Sequence, residues 1–168
     1  VIFSPRANLR FNPTQNINLR LSYSSGFRAP QAFDEDMHIE NVGGTVAMIE
    51  RAKNLKEEKS QSFSASADMY HRFGVFQTNF LIEGFYTRLT DVFVLGKPYD
   101  RGDGILVKTR SNGPGAKVMG LTLEGKVAYL SILQIQAGLT LQRSRYDEPH
   151  KWHDDAPAEK KIFRTPDT

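Results

Sequence analysis

The sequence predicts an all-β fold, an antiparallel meander of long strands, on three observations. Of six extended segments in the 168-residue chain, five alternate apolar and polar side chains with a period of two. Within each pair of segments the connection is a tight turn, and between pairs it is long. Strand side chains point alternately to opposite faces, so each segment has one apolar and one wet face, and helical spacing does not compete.

The segments follow in order. In FSPRANLRFN, residues 3–12, Phe3, Ala7, Leu9 and Phe11 stand against Ser4, Arg6, Asn8, Arg10 and Asn12. NPTQN, residues 12–16, is a turn, after which Ile17, Leu19, Leu21 and Tyr23 stand against Asn16, Asn18, Arg20, Ser22 and Ser24. SQSFSASADMYHRF sets Phe63, Ala65, Ala67, Met69 and Phe73 against Ser62, Ser64, Ser66, Asp68 and Arg72, and HRFGVFQ, residues 71–77, turns the chain back. FLIEGFYTRLTDVFVL, residues 80–95, reads as one strand with undecided faces, since Phe80, Ile82 and Tyr86 share one parity and Leu81, Phe85 and Leu89 the other. NGPGAK, residues 112–117, lacks the ending and following helix of a phosphate loop and reads as a turn. KVMGLTLEGKVAY then sets Met119, Leu121, Leu123, Val127 and Tyr129 against Thr122, Glu124 and Lys126. A short turn from Tyr129 to Leu133 leads to Ile135, Ala137, Leu139 and Leu141, set against Gln134, Gln136, Thr140 and Gln142.

These strands run to about nine to fifteen residues, against a mode of about five or six in globular sheets. The long connections cover residues 27–59, 96–115 and 147–160, all at one end of the sheet. Short turns at one end and long loops at the other mark a transmembrane β-barrel of the outer-membrane type. In hydrocarbon every backbone group must be paired, so such a sheet closes on itself, apolar outside and polar toward the lumen. Arg6, Arg10, Arg20, Arg72, Glu124 and Lys126 suit that interior, and Phe3, Tyr23, Phe73 and Tyr129 at strand ends suit aromatic girdles. The alternative is a soluble β-sandwich binding module, for instance for carbohydrate, whose half-buried strands alternate identically. Strand length and loop alternation favour the membrane barrel.

Composition removes other classes. A net charge of +3 without a dense Lys/Arg block does not call for nucleic acid. There is no cysteine, and no apolar run approaches the roughly 18 residues of a membrane helix. No Ser/His/Asp arrangement suggests an enzyme. DEDMH, residues 34–38, and EPHKWHDD, residues 148–155 with His150, His153, Asp154 and Asp155, lack a recognised ligand spacing, so no metal site is expected, and a loop metal site that needs His150 and His153 stands only as an alternative. The chain opens on Val1 without a basic-then-apolar leader and stops just after Ile162 and Phe163 begin a new apolar segment, so both ends read as cut.

Three short elements sharpen the reading. Gly26, Phe27, Arg28, Ala29 and Pro30 end one strand; Asn54, Leu55, Lys56, Glu57, Glu58 and Lys59 announce the next; Tyr86, Thr87, Arg88, Leu89, Thr90, Asp91 and Val92 end a later one. In this order they resemble the barrel region of TonB-dependent outer-membrane receptors, from about Ser4 to the end, with Glu57 standing where that family usually has Pro. The resemblance implies that residues 1–168 are a partial segment of a 22-stranded barrel, a class with a plugged lumen, without the plug domain or the C-terminal strand. It implies energy-coupled uptake of a scarce large solute of the siderophore, cobalamin or glycan class in the bacterial outer membrane, with no cofactor and no catalysis. Its partners are then outer-membrane lipid, an extracellular ligand, and the TonB energy-coupling complex acting through the missing plug.

Physical reading of the first element gives Gly26 a backbone conformation closed to other residues, and lets Pro30 remove a donor so that the ladder changes course. Arg28 is expected to hold this corner, and to pair with Asp34, Glu35 or Asp36 or with a plug carboxylate. Arg28, Asp34, Glu35, Asp36 and His38 are the candidate ligand residues, the last four in the loop from Phe33 to Ala52. An isolated segment with open sheet edges is expected to self-associate.

Overall fold

A computed structural model describes residues 3–30, 47–102, 104, 106–150 and 158–161. In chain order the strands are β1 (Arg6–Thr14), β2 (Ile17–Arg28), β3 (Ala47–Arg51), β4 (Glu58–Phe73), β5 (Phe76–Thr90), β6 (Phe93–Leu95), β7 (Tyr99–Asp100), β8 (Leu106–Asn112), β9 (Ala116–Tyr129), β10 (Leu133–His150) and β11 (Glu159–Lys161). Seven of them form one antiparallel meander in the order β1-β2-β4-β5-β9-β10-β11. The six long strands are those expected, joined by the expected turns. Gly74, at φ 57°, makes the β4–β5 reversal in a backbone region that favours glycine.

The remaining strands are not foreseen by the alternation. β3, β6, β7 and β8 form a second, four-stranded sheet built wholly from the long connections, with β8 at its centre. β3 runs parallel to β8, whereas β6 and β7 are antiparallel to it. Residues 80–95 are therefore not one strand. β5 ends at Thr90, Asp91 adopts a left-handed φ of 54°, and the chain leaves the main sheet as β6. A non-glycine residue in that region ends a ladder, which apolar periodicity cannot report.

Register resolves the undecided faces of β5. Across the meander Leu19, Ala67, Ile82, Leu123 and Leu139 form one row, and Leu21, Ala65, Gly84, Leu121 and Leu141 the next. Leu81 and Phe85 thus point to the wet face. Leu81 lies between Asp68 and Glu124, and the Phe85 ring covers Gly120, where an added Cβ would meet Phe85 Cζ at 2.6 Å. Leu89 and Val118 share that face, which is otherwise mainly polar: Ser62 and Thr87 hydroxyls meet at 2.9 Å, those of Thr122 and Thr140 at 3.2 Å, and Asn79 donates to Asp68. Asn18, nearly buried, turns its amide oxygen to Arg10 and Arg20 at 2.8 and 3.3 Å, bridging two directly opposed cations.

Among the described residues the apolar face has no second layer. Only Val107 and Ala116 are fully buried hydrophobic residues among those described, while Leu9 and Ile135 are each 62% exposed and Leu139 54%. A soluble sandwich would bury this face against another sheet, and the small sheet does not cover it. Aromatic rows bound the face at both ends. Tyr23, Phe63 and Tyr86 form one, with Tyr23 and Phe63 centroids 4.8 Å apart; Phe73, Phe76 and Tyr129 form the other, with the latter two rings at 5.2 Å. From 63 to 73, 76 to 86 and 119 to 129 the spacing is the same. At about 3.3 Å per residue and a tilt of about 40°, ten residues span about 25 Å, the height of the apolar band of an outer-membrane barrel.

Ile82 lies near the middle of this band. Ile82→Arg is expected to cost about 2–4 kcal/mol of folding stability in bilayers. Leu81→Arg, pointing the other way between Asp68 and Glu124, should stay within about 0.5 kcal/mol. Urea-dependent folding of the full-length protein into vesicles measures both.

Candidate functional site

The long connections meet where β2 and β5 end and β4 and β9 begin, at the end of the meander opposite the tight turns. Arg28, the last residue of β2, stands opposite Glu58, the first of β4. The Arg28 guanidinium lies 5.7 Å from the centroid of the Phe93 ring, and the Phe93 N–H donates to Glu58 Oε2 at 3.1 Å. A cation over an aromatic face and a charge-assisted hydrogen bond thus tie the start of β6 to the β2–β4 corner.

Asn112 ties the β2–β4 and β5–β9 connections together more directly. Its amide nitrogen donates to the carbonyls of Lys56 at 3.0 Å and Asp91 at 2.8 Å, and its Oδ1 accepts from the Lys56 N–H at 2.8 Å. An amide is the group for this task, because it offers donors and an acceptor together, where a carboxylate only accepts. Gly113 follows with its N–H on the Val92 carbonyl at 2.7 Å, and a Cβ there would meet Val94 at 2.5 Å. The Gly96 N–H reaches the Thr109 carbonyl at 2.8 Å, and the Ala52 N–H that of Arg110 at 2.9 Å, so β8 is held on both sides.

Residues of all three sequence elements therefore converge: Arg28 from the first, Lys56 and Glu58 from the second, Asp91 and Val92 from the third. The fourth component, Asn112–Gly113, reads in the sequence as a plain turn. Its signal is an Asn leading two closely spaced glycines, which marks backbone held close to something else. Gly26 also needs correction. It has no positive φ but sits in β2 opposite Ser60, and an added Cβ would meet Ser60 Oγ at 2.9 Å, so close approach explains it. At Glu57, its own backbone N–H and then Lys59, 3.1 Å away, hold the carboxyl below its ordinary pKa.

A polar pocket of about 620 Å³ opens beside this junction, lined by Pro30, Glu50, Arg51, Ala52, Lys53 and Leu55. Glu50 is bridged by Arg101 at 3.6 Å, and Arg51 and Lys53 are exposed. Asp34, Glu35, Asp36 and His38 lie outside the described residues, as do His153, Asp154 and Asp155.

A family profile described as "TonB dependent receptor-like, beta-barrel" matches residues 2–168. The chain belongs to the TonB-dependent receptor β-barrel family. This is a family of receptors and transporters characteristic of the outer membrane, not a class of enzymes. Among solved structures, the FrpB iron transporter from Neisseria meningitidis, F3-3 variant, matches 85% of the chain at 19% identity and a TM-score of 0.59, over 20% of its own length. The apoprotein form of the F5-1 variant matches the same shares at 18% identity and 0.60. These likenesses show the fold, and the chain spans about a fifth of the length of those transporters. No curated protein matches the chain.

Replacing Asn112 by Ala removes three hydrogen bonds and should ease local opening of the small sheet by about 1–3 kcal/mol. Asn112→Asp keeps the acceptor for Lys56 but sets a carboxylate against two carbonyls, and should open it at least as far. Hydrogen exchange at Lys56 and Gly113 reads the change, with the meander amides as the unaffected reference.

Proposed function

We propose that residues 1–168 form part of the barrel wall and outer rim of a receptor for TonB-coupled uptake of a scarce, large solute across the outer membrane. The observation that carries this reading is the junction of the three family elements, which fixes a pocket-bearing small sheet to the loop end of a lipid-facing wall. A wall segment of this kind neither encloses a solute nor moves it. Transport belongs to the full-length protein, with a plug that the energy-coupling complex rearranges.

Of the siderophore, cobalamin and glycan classes, the rim chemistry favours an anionic iron chelate. Arg51 and Lys53 offer positive charge at the pocket, whereas Glu50 is engaged by Arg101. The likeness to FrpB, an iron transporter, accords with this class. The connection carrying Asp34, Glu35, Asp36 and His38 leaves from Pro30, which lines the pocket, and we assign those residues and Arg28 to the ligand side.

Uptake by cells expressing the full-length protein as their sole receptor tests this reading. A labelled anionic ferric chelate should accumulate only when TonB is present, and cobalamin and an oligosaccharide should not. Arg51→Gln with Lys53→Gln should raise the half-saturating chelate concentration about tenfold and leave the maximal rate unchanged. Uptake that is indifferent to TonB would overturn the reading.

A further inference from the structure

Asn112 is the only asparagine of the chain that precedes a glycine; the other seven precede Leu, Ile, Val, Phe or Pro. With no Cβ to crowd it and a freely turning backbone, a glycine nitrogen reaches the carbon of a preceding asparagine side chain and closes a five-membered ring with it. A bulky residue after the asparagine obstructs that closure. Packing imposes the reactive pair here. A Cβ at Gly113 would meet Val94 at 2.5 Å, and only an amide at Asn112 both donates to two carbonyls and accepts from an N–H.

The closed rim holds this reaction off in three ways. The attacking atom is engaged, since the Gly113 N–H donates to the Val92 carbonyl at 2.7 Å. The departing nitrogen is engaged as well, through its bonds to the Lys56 and Asp91 carbonyls at 3.0 and 2.8 Å. The path between them is shut, because Asn112 ends β8 paired with Phe93, and an extended backbone turns the following nitrogen away from the side-chain carbon. All three restraints fail together when β6 parts from β8.

We propose that Asn112–Gly113 is a self-modification site that opening of the small sheet uncovers, and that its reaction keeps the rim from closing again. The Gly113 nitrogen gives up its proton and forms a bond to Asn112 Cγ; the Cγ–Nδ2 bond breaks and ammonia leaves, carrying that proton. Water then opens the ring at either carbonyl, leaving aspartate or isoaspartate at position 112. No other reactant is needed. Aspartate sets a carboxylate against the Lys56 and Asp91 carbonyls. Isoaspartate also lengthens the backbone by a methylene ahead of Gly113, which displaces its N–H from Val92. Each opening therefore risks a permanent one.

Peptide mapping of the full-length protein, incubated at mildly alkaline pH and digested in acid, tests the site, with isoaspartate told from aspartate by enzymatic methylation. Position 112 should convert at least about tenfold faster when the protein is unfolded in urea than when it is folded, because the bonds of the rim keep the open population small. Asn54, exposed but followed by Leu55, should stay intact in both. Glu58→Ala removes the acceptor of the Phe93 N–H and should raise the folded-state rate about tenfold while leaving the rate in urea unchanged. Phe93→Leu, a milder change that takes away only the ring, should raise it less. Gly113→Ala should suppress isoaspartate even in urea, where rim packing plays no part. The converted protein, separated by its added negative charge, should exchange the Lys56 amide as fast as Asn112→Ala does. Equal conversion of folded and unfolded protein, no isoaspartate at position 112 in urea, or a converted protein whose Lys56 amide keeps its full protection would overturn the proposal. None of these readouts involves solute or TonB, so the uptake reading stands or falls separately.

Discussion

Everything in this chain depends on a single layer of backbone hydrogen bonding. Six long antiparallel strands satisfy one another edge to edge, which leaves side chains as the only means of telling the two faces apart. One face carries rows such as Leu19, Ala67, Ile82, Leu123 and Leu139, the other Ser, Thr, Asn and charged groups. With no second layer among the described residues, the hydrophobic term is collected from the surroundings and not from a core. The fold therefore makes sense only where those surroundings are hydrocarbon on one side and water on the other.

The rim solves a different problem. Irregular chain leaving a sheet exposes carbonyls and N–H groups that the ladder no longer serves, and here they are taken up locally. Asn112 serves Lys56 twice and Asp91 once, Gly113 serves Val92, and Glu58 serves Phe93. The family elements are short because each contributes only the residues that reach this junction. Their separation in the chain hides the fact that they form one structure.

Alternation makes the meander legible. Strand number, turn positions and most faces follow from period-two patterning, since a one-residue slip would expose the wrong face of every strand. The failures have physical causes. Phe85 and Leu81 blur the β5 pattern because a wet face tolerates a ring over Gly120 and a leucine between two carboxylates. β3, β6, β7 and β8 escape notice because short strands in a small sheet carry no extended alternation, and β3 pairs with a partner more than fifty residues away. Arg28 stands out through a resemblance, and its contact with Phe93 is hidden because the ring belongs to another connection. Asn112 has no periodic signal whatever; its meaning lies in three backbone groups that only the folded chain brings together.

The parallel pairing of β3 with β8 has a mechanical consequence. Five consecutive residue pairs, from Ala47 opposite Leu106 to Arg51 opposite Arg110, join two connections that leave the meander at different strands. Strands pulled along their length share a load over all their hydrogen bonds at once, whereas strands peeled from one end release them singly. A displacement along the β3 direction is thus transmitted to β8 as a rigid translation, and through Asn112 to the ends of β4 and β5. A tug sideways unzips the same contact. This contact resists load along the strands and yields to load across them, so force at the rim is sorted by its direction.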